Sequence, residues 1–305
     1  MGMARWDPKA WSSYSSSSIK GRSRSAIFSR RGIDPDFDPR YVDVRESRDS
    51  KLNPQSNAIA VAFDVTGSMG MIPEAFVRHG LRTLVEQIIE RQPVPDPHVM
   101  IMGFGDAWCD EAPLQVSQFE ADIRIAEQLT NIWLEGGGGG NDCESYNLPW
   151  YFAARHTSID CLEKRGRKGY LFTVGDEPPA PVLLKEHVER FLGDSLQDDI
   201  DTRDLLTMVS RMYHVFHIMV AEGHCFRFSG DEVTARWRDL LGQNAILLTD
   251  HNKLAEVIVS TIAVTEGAKA DAVARSWSGK TAAVVADAVR DLTIPSQGEA
   301  GVIRL

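Results

Sequence analysis

The chain has 305 residues, 43% hydrophobic and 25% charged, enough to bury a sizeable core in one domain with extensions. This composition excludes collagen-like, coiled-coil and wholly disordered chains, no apolar run reaches the roughly 18 residues of a membrane span, and the four cysteines lack the CxxC spacing of zinc-ribbon or thioredoxin-like sites. The net charge of −10 is uneven: residues 1–33 carry seven Lys/Arg against Asp7, or +6, leaving 26 basic and 42 acidic residues, or −16, on a body that argues against broad nucleic-acid binding.

Residues 1–57 read as a basic, Ser/Arg-rich arm and an extended lead-in. Nine serines and few aliphatics in residues 1–33 predict a flexible leader, or an arm that grips an acidic surface. Only Phe37, Tyr41 and Val42 are expected to touch the main domain. No apolar signal-peptide core is present, which predicts a cytoplasmic protein with reduced thiols.

From residue 58 the pattern alternates. Ala58 to Phe63 is a continuous apolar run, the mark of a strand buried on both faces. After the turn Asp64 to Gly70, Pro73 opens a helix whose apolar stripe is Val77, Leu81, Leu84, Val85, Ile88 and Ile89. Val99 to Phe104 is the next buried strand, and Leu114 to Phe119 a shorter one at the edge. A helix over 121–133, a five-glycine loop at 136–140 and a helix over 145–156 follow, then a strand at 169–174. Further on come helices at 182–193 and 202–211, a strand at 213–220, a helix at 231–241 and a strand at 245–249. A helix at 251–266 and a separate Ala-rich helix at 269–291 complete the chain. Strands alternating with helices predict an α/β, Rossmann-like, doubly wound and mostly parallel sheet over 58–266, with a C-terminal helix and tail over 267–305. Ligands then bind beyond the C-terminal strand ends.

Those ends carry the unusual residues. Asp64, Thr66 and Ser68 alternate through the first turn, and all are hard oxygen ligands suited to Mg²⁺ or Mn²⁺. Asp176 follows a later strand in Gly175-Asp176-Glu177-Pro178-Pro179, and the glycine loop offers Asn141, Asp142 or Glu144. Trp108, Trp133, Tyr146 and Trp150 fall on or beside the same loops, and Trp108, Tyr146 and Glu144 are the candidates for touching a partner.

Asp64-Val65-Thr66-Gly67-Ser68 resembles the DxSxS motif of the von Willebrand factor A domain and its metal-ion-dependent adhesion site, with Asp176 in the place of the family's closing aspartate. Gly138 to Glu144 is similar to the GGGDxPE segment of an intracellular branch, with Asn141 where that branch has its acid. The resemblance spans residues 57 to 266. It implies a divalent-metal-dependent protein-binding module, not an enzyme, whose metal captures an Asp or Glu of a partner. It further implies a multi-protein assembly, with an AAA+ ATPase among the candidate partners, in a bacterium or a phage-derived system.

Two alternatives remain. Asp64-Val65-Thr66-Gly67-Ser68 also resembles the DxTGT of haloacid-dehalogenase-type phosphoryl transfer, with Asp64 as nucleophile, Asp176 and Lys168 in the later motifs, and Mg²⁺ beside them. The chain could also be a structural subunit of a bacterial or phage assembly, interlocked by its N-terminal arm. No Walker A loop, nucleophile elbow or dinucleotide fingerprint is present, and His214 and His217, three apart on a strand, point to opposite faces and cannot share zinc.

Overall fold

The computed structural model describes residues 4–67, 69–137 and 143–293. Six strands form the central sheet: β1 (Asn57–Asp64), β2 (Pro97–Phe104), β3 (Leu114–Val116), β4 (Gly169–Gly175), β5 (Tyr213–Val220) and β6 (Ala245–Leu248), in the order β6-β5-β4-β1-β2-β3. All neighbours are parallel except β3, which lies antiparallel on β2 at the edge. This is the doubly wound order, in which the chain reverses its direction of winding beside β1. β1 and β2 are buried at every position, as their continuous apolar runs require. Ile59, Val61 and Phe63 face one hydrophobic core, and Ala58, Ala60 and Ala62 face the other.

One face is covered by α2 (Leu81–Arg91), α3 (Arg124–Thr130) and α8 (Leu254–Thr265). α2 is the end of a longer helical run that starts at Met71 and passes through a π turn at Phe76–Gly80. The other face is covered by α4 (Asn147–Arg155), α5 (Lys185–Leu192), α6 (Thr202–Val209) and α7 (His224–Leu241). Short strand pairs Arg45–Ser47 with Thr157–Ile159, and Val182–Leu183 with Ile200–Asp201, tie surface segments together.

Three expectations change. The arm is folded: α1 (Pro8–Tyr14) is capped by the Asp7 side chain, and Trp6, Trp11, Ile19, Ile27 and Phe28 join the core beside α2 and α3. Its apolar area comes from aromatic rings, which bury roughly 150–250 Å² each, so a scarcity of aliphatics was the wrong measure. Phe37 and Val42 are buried, whereas Tyr41 is exposed. The Ala-rich segment is two helices, α9 (Ala270–Arg275) and α10 (Gly279–Val289), separated where Gly279 takes a positive φ of 59°. Trp277 fills that break, donating to Ser260 Oγ at 2.8 Å beneath the Arg91 guanidinium. Finally, α7 begins at His224, with non-helical backbone at Ser229 inside it, so the expected helix at 231–241 is only its second part. Among the described residues no helix is long and apolar enough to cross a membrane.

Candidate metal centre

Because the five long strands are parallel, their C-terminal ends share one edge. An acid follows each: Asp64 closes β1, and Asp106, Asp176, Glu222 and Asp250 follow β2, β4, β5 and β6. β1 and β4 are neighbours in the register Phe63 opposite Val174, which brings Asp64 and Asp176 to the switch point of the sheet.

Asp64 is 1% exposed. Its Oδ1 accepts from the Thr66 amide at 2.8 Å and the Thr66 hydroxyl at 2.6 Å. Thr66 thus spends its proton on the carboxylate and keeps its oxygen lone pairs for another group. Asp176 is held from α7: its Oδ2 accepts from the Cys225 amide at 2.7 Å. Gly223, the residue before α7, makes this possible, since a Cβ there would lie 2.4 Å from Oδ2. Glu144 is buried beside Pro179, with which its backbone bridges.

Each of these carboxylates keeps one buried oxygen with no hydrogen-bond partner among the described residues: Asp64 Oδ2, Asp176 Oδ1 and Glu144 Oε2. Burial pushes the Asp64 carboxyl up to about 8, with Asp176 and Glu177 adding repulsion against the lowering effect of Thr66. Glu144 is likewise raised, first by burial and then by Asp64 and Glu177. Asp176 is raised by burial, partly offset by the amides at the start of α7. Buried anions that repel one another and lack partners are costly. A hard divalent cation coordinated by such oxygens removes that cost. The donor set therefore fits Mg²⁺ or Mn²⁺.

The remaining sequence candidates divide. Ser68, Asn141 and Asp142 lie outside the described residues. The described start of the glycine loop does reach the first motif: the Gly67 amide donates to Gly137 O at 3.0 Å. Tyr146, expected at a partner-contacting rim, is instead in the core at 1% exposure. Its ring packs on Phe104, His217 and Trp237, and its hydroxyl accepts from the Glu177 amide at 3.1 Å. Trp150 is also buried. Glu144 faces the carboxylate cluster from within, out of a partner's direct reach. Trp108 is 67% exposed, stands edge-on to His187 at 4.9 Å, and remains a rim residue.

Two acids at this edge are absent from the site candidates of the sequence. Asp106 accepts from the Trp108 amide and from the Cys109 thiol. Asp110 accepts from the Asp106 amide at 2.7 Å, and Gly105 and Gly137 leave it room. The available signal was an acid directly after a buried strand, in Gly103-Phe104-Gly105-Asp106. His217 is buried, stacked on Trp237 at 3.6 Å and bonded to Thr173, while His214 packs on Tyr170, so the two do not share a site. Glu222, Asp250 and His251 also approach one another, but their atoms are committed: Glu222 accepts from the His251 amide and ring, and Asp250 pairs with Lys280.

No protein-family model matches the sequence, and no curated protein does. Solved structures give distant likenesses. The pilus adhesin SpaC from Lactobacillus rhamnosus GG, in its open conformation, aligns at 10% identity and TM-score 0.45, over 72% of this chain and 32% of its own. A von Willebrand factor type A protein from Catenulispora acidiphila aligns at 13% identity and TM-score 0.37, over 70% of this chain and 44% of its own. BatB from Bacteroides thetaiotaomicron aligns at 11% identity and TM-score 0.33, over 54% of this chain and 66% of its own. The chain thus spans about a third of the SpaC chain it matches. At scores this low the architecture rests on the strand order itself.

Proposed function

We propose that this chain is a von Willebrand factor A-type binding module, in which Mg²⁺ or Mn²⁺ at the sheet's switch point captures an Asp or Glu of a protein partner. The observation that carries the reading is the set of three buried carboxylate oxygens, on Asp64, Asp176 and Glu144, without a hydrogen-bond partner among the described residues. Asp64, Thr66 and Asp176 would hold the ion or its waters, with Glu144 behind them. The ion would supply an electrophilic position that an anionic oxygen fills. A multi-protein assembly in a bacterial or phage-derived cytoplasm, with an AAA+ ATPase among the candidate partners, is the setting this reading favours.

Calorimetric titration of Mg²⁺ and Mn²⁺ into wild type and Asp64→Ala tests the site: heat is expected from wild type alone, and equal heats would overturn the assignment. Affinity capture with and without chelator then identifies the partner. The phosphoryl-transfer alternative loses support from geometry. Lys168 precedes β4 and Asp176 follows it, so they sit at opposite edges of the sheet, about 25 Å apart at the strand rise.

A further inference from the structure

The basic arm reaches the candidate metal centre. Arg24, Ser25, Phe28 and Arg31 form one wall of a cleft of about 140 Å³, and Thr66 and Gly67 of the first metal-site turn form the other. Phe28 is buried and anchors the segment, whereas Arg24 and Arg31 are exposed. A Cβ added at Gly70 would lie 3.3 Å from Arg24 Nη1, so the guanidinium rests on the backbone at the start of the helical run from Met71. A cation gains nothing there, because a helix N-terminus carries partial positive charge. Among the described residues no carboxylate pairs with Arg24 or Arg31; Arg31 donates only to the Arg30 carbonyl. Of the other arginines in the arm and lead-in, Arg5, Arg30, Arg40 and Arg48 pair with carboxylates; Arg22 pairs with none among the described residues, but it does not line this cleft.

Two cationic side chains are therefore held beside the metal-site turn, without an ion pair and against the local helix field. We propose that Arg24 and Arg31 extend the metal centre into a two-point docking surface for an acidic peptide, the metal taking one carboxylate and the arginines the next. This rests on the metal-dependent capture proposed above and names the partner's chemistry: a run of acidic residues, not a lone acid. Guanidinium groups suit the role because their forked donors match a carboxylate. Charge complementarity is local. The acidic body as a whole repels such a peptide, whereas the cation and these two arginines attract it.

The test uses the full chain and two fluorescein-labelled peptides in one Gly/Ser background, with a single glutamate or three consecutive glutamates, read by fluorescence anisotropy in Mg²⁺ or in EDTA. In Mg²⁺ the triple-glutamate peptide should bind roughly three- to tenfold more tightly, the range expected for two exposed Arg–carboxylate contacts. Arg24→Ala/Arg31→Ala should bring it to the single-glutamate level while leaving the single-glutamate affinity and its loss in EDTA unchanged. Arg24→Lys/Arg31→Lys should keep part of the preference. Both pairs of variants should melt with wild type, which separates lost docking from lost folding. If the double alanine variant keeps the preference, or wild type shows none, or neither peptide binds, the docking surface is refuted. If the preference survives EDTA yet vanishes in the double alanine variant, the arginine site stands and the metal reading fails.

Discussion

The buried charge at Asp64 gives the sharpest prediction. Asp64→Asn is nearly isosteric and retains Oδ1, the acceptor for both Thr66 donors. It removes the ionisable group whose carboxyl is pushed from 3.8 to about 8 by burial, with Asp176 and Glu177 contributing. A carboxyl raised on folding stabilises the fold below its ordinary range, and that contribution is lost as pH rises toward the raised value. Without metal, wild type should therefore lose stability between about pH 4 and pH 8, and Asp64→Asn should lose less. A shift of about four pH units sets a ceiling of about 6 kcal/mol. Relaxation and redistribution onto Glu144 and Asp176 reduce this, and we expect a gain of about 1–3 kcal/mol at pH 8. At this chain length that is a rise in Tm of about 2–5 °C. The assay is thermal unfolding of both proteins in EDTA at the two pH values, repeated with Mg²⁺ at pH 8. Mg²⁺ should raise Tm of wild type and leave the variant where it was. If Asp64→Asn in EDTA is equal to or less stable than wild type at pH 8, the mutual-repulsion account of the site is wrong.

Gly175→Ala would bring a Cβ within 2.2 Å of the Tyr146 hydroxyl and 2.8 Å of its ring. It should cost about 1–3 kcal/mol by overpacking, read as a lower denaturant midpoint. Trp11→Ala removes a buried anchor of the arm and should cost about 3–5 kcal/mol. Limited trypsin digestion should then cleave the arm at Arg22, Arg24, Arg30 and Arg31 before the body; an arm as resistant as wild type counts against its packing role. Trp108→Ala, on an exposed side chain, should change stability by less than about 0.5 kcal/mol yet weaken capture of any chelator-sensitive partner. Unchanged capture would remove Trp108 from the docking rim.

The sheet was legible in the sequence because its strands are short, continuous apolar runs that alternate with amphipathic helical stretches, the pattern of a doubly covered parallel sheet. Asp64, Thr66 and Asp176 were legible because polar residues at strand ends stand out against such runs. The arm was not, since its packing depends on Trp6, Trp11 and Phe28, a few rings in a serine-rich background. Tyr146 was misplaced for a related reason: its loop position and polar tip suggest a rim, whereas Gly175 opens the space that lets its ring enter the core. The early start of α7 was hidden by Ser229 and Gly230, which read as a break. Yet that first part of the helix supplies the amide that fixes Asp176. Asp110 gave no spacing signal, because its partner is the Asp106 backbone amide, which Gly105 lets it approach.

The division of labour within each carboxylate would let the proposed centre be rigid and still bind. Asp64 and Asp176 each commit one oxygen to the protein, to Thr66 and to the Cys225 amide, and each leaves the other oxygen without a partner among the described residues. The committed oxygens set direction, so little ordering is left for a ligand to impose. The remaining oxygens carry the repulsion that burial intensifies, and relief of that repulsion would become part of the binding free energy of the proposed cation. On the proposed reading, metal affinity and apo-state stability are opposed at the same residues. A variant that lowers the repulsion, as Asp64→Asn does, must make the metal-free protein more stable while it weakens the site, whereas loss of a purely structural hydrogen bond would lower both.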